Sequence, residues 1–125
     1  MKERLNLLRQ ANVISADACQ ATEIAVRLIG EQFALTPDNE QFQMAMTHFA
    51  RAFDRIRSGA PVDEGLDPEI FDEILADDGF EQVQALNQRI LDQVGLVQVP
   101  VTENSFFLSN LFSLCCASAA EEGTC

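Results

Sequence analysis

A lone histidine, His48, stands three residues before Arg51 and seven before Arg55 in MAMTHFARAFDRIRSG, residues 44–59. If this stretch is helical, positions three and seven on return to the same side, so both guanidinium groups can sit beside the imidazole. A neutral imidazole is a nucleophile, and cationic neighbours favour the neutral ring. The planar guanidinium fork matches phosphate oxygens. Together these groups suit phosphoryl acceptance, in which a ring nitrogen attacks phosphorus while arginines offset the charge gathering on the oxygens. The plainer use of a helix histidine is half-buried packing with one hydrogen bond, and spacing alone leaves both readings open.

Other chemistries find less to work with. Cys19, Cys115, Cys116 and Cys125 are too few and too badly spaced for a disulfide framework, so reduced thiols are expected. One histidine and these spacings do not make a zinc site, and no metal or other cofactor is expected. Glu23, Glu31 and Glu40 are scattered rather than paired, and Cys115 has no base at a recognisable spacing, so the expectation is a protein that is not an enzyme. Eight basic against twenty acidic residues give a formal net charge of −12, which disfavours nucleic acid and acidic membranes as direct partners. No apolar run approaches a membrane span, and the start MKERLNLLRQ lacks the apolar core of a signal peptide, so a cytoplasmic protein is expected.

The elements that must position His48 read as helices throughout, an all-α bundle of five helices, or six with a short extra one. The 125 residues suit one domain, taken as 1–120, followed by a frayed tail at 121–125. Leu5, Leu8 and Ala11 mark a first helix. Ser15 caps a second that carries Cys19, Thr22, Val26, Ile29 and Phe33. Thr36-Pro37-Asp38 breaks the chain and starts a third helix, which ends near Gly59 and buries Phe42, Ala45, Met46, Phe49, Ala52, Phe53 and Ile56. His48 falls roughly 100° from the centre of that face. The segment 58–68 is a connector, with Asp67-Pro68 opening a short helix whose apolar stripe is Ile70, Phe71, Ile74 and Leu75. Phe80 to Val94 form the next helix, which Gly95 ends. After the extended VQVP comes FFLSNLFSLCCASA, apolar over most of its circumference and expected at the bundle's centre.

Two of these stretches jointly resemble the PTS regulation domain, or PRD, of bacterial antiterminators and operon activators controlled by the phosphoenolpyruvate-dependent sugar phosphotransferase system. MTHFARAFDRIRSG is similar to the family's histidine helix, with His48 and Arg55 at the matching positions. GLVQVPVTENSFFLSNLF is similar to its second motif: Glu103 matches the acidic residue, and Asn110 stands where the second histidine belongs. The intervening PEIFDEILADDGFEQVQALNQRILDQVG fits the family's middle helices. The resemblance implies a five-helix bundle that dimerises and is phosphorylated on histidine by a phosphocarrier protein or a sugar-permease component. It also implies a role in transcription regulation. The chain has room for one such domain and no effector module, so its output is expected to pass through a partner such as another PRD-containing regulator. The same resemblance with phosphorylation lost would leave a constitutive interaction module in which His48 is structural.

Overall fold

A computed structural model describes residues 2–33, 35 and 39–122. Six helices follow one another, with no strand among the described residues: α1 (Lys2–Gln10), α2 (Ala16–Gln32), α3 (Glu40–Arg57), α4 (Pro68–Leu75), α5 (Phe80–Val94) and α6 (Val101–Glu122). The all-α bundle is as expected, in its six-helix form. Among the described residues no helix is long and apolar enough to cross a membrane.

Capping chemistry places most boundaries. Ser15 Oγ accepts from the Ala18 N–H at 3.0 Å, and Asp67 Oδ1 accepts from the Glu69 N–H at 2.8 Å with Pro68 behind it. Gly95, at φ 79°, ends α5 in the left-handed region that glycine enters without penalty. The third helix starts later than expected. Its cap is Asn39, whose Oδ1 accepts from the Phe42 N–H at 3.0 Å, and its first residue is Glu40; the expected start at 36–38 lies outside the described residues. Residues 121 and 122 continue α6, so the tail expected to fray from 121 is helical there, and 123–125 lie outside the described residues.

The packing is a ring. α2 packs on α3 and α5, and α6 packs on the same two from the other side; α1 joins through α2, and α4 through α6. The core between them draws Leu28 and Ile29 from α2, Met46, Phe49 and Phe53 from α3, Leu86 and Ile90 from α5, and Phe107, Leu111 and Leu114 from α6. Phe49 and Phe107 meet at 5.4 Å between ring centroids. Each fully buried aliphatic side chain contributes roughly 1.5–3 kcal/mol, which sums to the main force closing the ring.

Two expectations about apolar faces need correction. On α4 only Ile74 is buried, while Ile70 is 49% and Leu75 43% exposed, because this eight-residue helix packs chiefly on α6 and cannot cover the flanks of its stripe. α6 buries one side rather than most of its circumference. Phe106 and Cys116 face outward, and Ser109, Asn110 and Ser113 lie half-buried, since serine and asparagine can face water without loss.

Candidate functional site

α3 and α6 lie antiparallel, as the contacts along them show. Arg55 near the end of α3 meets Glu103 in the first turn of α6, Phe49 meets Phe107, and Ala45 and His48 share a groove with Asn110 and Ser113 further along α6. This explains why the two motifs have equal internal spacing. His48 and Arg55 are seven residues apart, and so are Glu103 and Asn110. Two antiparallel helices therefore cross-match them as Arg55 with Glu103 and His48 with Asn110, two turns or about 10 Å apart.

The first crossing is closed. Glu103 is fully buried, and its carboxylate accepts from Arg55 Nε at 2.8 Å, from Arg55 Nη2 at 3.1 Å and from the Val62 N–H at 3.2 Å. The paired carboxylate holds the Arg55 guanidinium above its ordinary value, mainly through these hydrogen bonds and against the opposing effect of burial. The bond from Val62 draws the 58–67 connector onto α6. Ser105 repeats the device: its Oγ accepts from the Leu66 N–H at 2.9 Å and donates to the Thr102 carbonyl at 2.7 Å. Gly65 lies so close that an added Cβ would come within 2.9 Å of Ser105 Oγ and 3.2 Å of Thr102 Cα. Only glycine fits that approach.

The second crossing is open. His48 is exposed on α3 and lines a groove of about 570 Å³ with Met44, Ala45, Asn110, Ser113 and the first turn of α3. Among the described residues the side chains of His48, Asn110 and Ser113 make no hydrogen bond, so a ring nitrogen, an amide and a hydroxyl face the groove with their bonding capacity unused. Asn110 has a second face. It also lines a small interior void of about 20 Å³ beside Phe49, Asn87 and Phe107.

The three arginines of RAFDRIR go three ways. Arg55 is bound to Glu103, and Arg57 reaches Asp17 at 3.2 Å with its guanidinium 5.4 Å from the Phe53 ring centroid. Arg51 is exposed and has no ion-pair partner among the described residues. The arrangement therefore brings His48 and Asn110 together and Arg55 and Glu103 together, but it does not place Arg55 beside the imidazole. The buried carboxylate of Glu103 is the stronger claim on that cation, because an unpaired buried charge is costly.

Ser113 was legible as a groove residue only after the fact: it lies three positions beyond Asn110 and so on the same side of α6. Asp54 is a further contributor without a local signal. Its carboxylate accepts from the Ser15 N–H at 2.8 Å and from Ser15 Oγ at 2.5 Å, tying the start of α2 to α3. Cys19 and Cys115 are free thiols that burial pushes above the ordinary value, which makes them poor nucleophiles, and Cys116 is free and exposed; Cys125 lies outside the described residues. Among the described residues no three His, Cys, Asp or Glu side chains converge as a metal ion would require.

No family model matches the chain, and no solved structure matches it. It is similar to the uncharacterized protein YhfY of Escherichia coli (strain K12), 36% identical over 121 residues that cover 97% of this chain and 99% of that protein. Identity at that level over nearly the whole of both chains places this protein in the YhfY family.

Proposed function

We propose that this is a cytoplasmic regulatory protein of the PRD type, which takes a phosphoryl group on His48 and passes the signal to a protein partner in transcriptional regulation. The donor is a phosphocarrier protein or a sugar-permease component of the phosphotransferase system. The partner is another PRD-containing regulator, and the protein itself pairs as a homodimer. The observation that carries this reading is the exposed His48 ring, free of hydrogen bonds among the described residues, in a groove wide enough to admit a donor's active side chain. In the transfer the ring nitrogen attacks phosphorus, the new N–P bond forms, and the N–P bond to the donor's imidazole breaks. The product adds close to two negative charges to a chain already at −12, which alters the affinity of any packed partner. Incubation with a phosphorylated carrier should label the wild type and leave His48→Ala unlabelled. Equal labelling of the two would sink the idea.

A second reading is favoured by a specific pair of observations: Asn110 occupies the second-histidine position, and Arg55 is already bound by Glu103. In that reading the fold is a constitutive interaction module. Partner affinity that stays the same under phosphorylating and dephosphorylating conditions supports it over the first.

A further inference from the structure

We propose that the phosphoryl group carried by His48 is held by Arg51, with Asn110 and Ser113 as neutral donors, while Arg55 takes no part and serves as a fixed clamp on α6. This rests on the phosphorylation reading above and assigns the residues of that same site.

The division follows from which groups are committed. Arg55 spends its Nε and Nη2 donors on Glu103, whose side chain is 0% exposed. Turning that guanidinium toward a phosphate two turns away would strand a buried carboxylate, which is among the most costly single changes a fold can suffer. Arg51 carries no such commitment, and it is one turn from His48 on the exposed side of α3. A guanidinium there reaches an N-phosphoryl group with loss of hydration only. Across the groove the Asn110 amide and the Ser113 hydroxyl each have donors unused among the described residues. Asparagine at that position therefore supplies a hydrogen-bond donor without competing as a second nucleophile. The consequence is that the phosphate signal stays at the surface: the clamp, the 58–67 connector and the α3–α6 docking remain as they are in the unmodified protein.

Phosphoramidate as a chemical donor separates this assignment from the choice of biological donor. The His48 nitrogen attacks the phosphorus of phosphoramidate protonated on its nitrogen, the bond from phosphorus to that ammonium nitrogen breaks, ammonia leaves with the electron pair, and the surplus ring proton goes to water. The initial rate is read by intact mass on the full chain. Arg51→Gln should slow labelling roughly tenfold, the scale of one hydrogen bond to a charged group, and Asn110→Ala and Ser113→Ala should each slow it a few-fold. Arg55→Met/Glu103→Leu, which removes both charges of the clamp together and so spares the fold, should label at the wild-type rate. A second readout uses the single histidine, whose ring resonances should shift saturably with inorganic phosphate and respond about tenfold more weakly in Arg51→Gln. An unchanged rate in Arg51→Gln, a lost rate in the folded double variant, or no response of the wild-type ring to phosphate would overturn the assignment. Absence of label from the wild type, or equal label on His48→Ala, would instead remove the phosphorylation reading itself and this assignment with it.

Discussion

At the Arg55–Glu103 crossing every polar atom of the carboxylate is engaged, whereas two turns away the His48–Asn110 crossing holds two side chains with no hydrogen bond among the described residues. Both crossings join the same pair of helices, and both pair a residue of the first motif with one of the second. The difference lies in what surrounds them. The connector folds over the closed crossing and removes the Glu103 carboxylate from water, so that charge must be matched there and then. No described segment covers the open one, so its groups stay accessible from outside. One antiparallel contact thus forms a buried anchor at one end and lines an open groove at the other.

The comparison breaks most visibly if the anchor is cut. Arg55→Ala leaves Glu103 buried without its cation and should cost about 3 kcal/mol, near the lower end for a buried pair because Arg55 is itself partly exposed. Thermal melting should show this as a fall of roughly 10 °C for a chain of this size. Gly65→Ala tests the same end through the backbone. The added Cβ meets Ser105 Oγ at 2.9 Å and backbone at 3.2 Å, so the connector must shift, at a cost of about 1–2 kcal/mol in a urea titration.

Alkaline pH offers a gentler probe. Burial raises Cys19 and Cys115 above the ordinary thiol value of 9.0. Below that value both folded and unfolded thiols hold their proton, and nothing is lost. Above it the unfolded thiol ionises first, so stability falls as pH rises through the interval up to the folded value. Urea midpoints should therefore decline from pH 8 to pH 10, and less so in Cys19→Ala measured against its own value at pH 8. The Arg55 clamp does not contribute to that decline: its hydrogen bonds to Glu103 raise the guanidinium above its ordinary value, so its charge persists throughout this range.

The smallest effect belongs to the open crossing. His48→Ala should change stability by no more than about 0.5 kcal/mol, as exposed substitutions do. A loss several times larger for His48→Ala would show that the imidazole holds the fold together, and the contrast between the two crossings would disappear.

The apolar face of α3 was readable in most of its extent from the 3.6-residue period: of the seven residues expected on it, Phe42, Ala45, Met46, Phe49, Ala52 and Phe53 are buried, Ile56 at the end of the helix is half-buried, and the buried Ala50 was not foreseen. Local signals also carried the caps at Ser15 and Asp67 and the end at Gly95, because each acts within four residues of itself. His48 at the edge of the buried face was legible on the same ground. Its separation from Arg55 was not. Whether an arginine seven residues on turns toward the imidazole or toward a carboxylate on another helix depends on which helix docks there and in which direction. The exposed flanks of α4 and the outer side of α6 were missed for a related reason: a stripe records how apolar a face is, but not how much neighbouring surface exists to cover it.

Asn110 and Ala45 line both the His48 groove and the 20 Å³ void. Hydrostatic pressure works against internal voids, since filling them shrinks the system. Two of the residues lining the void, Asn87 and Asn110, are polar, and Asn110 also lines the open groove, so compression should drive solvent inward at this point first. Under pressure the ring of Phe107 beside that void should register change before Phe53, which does not line it.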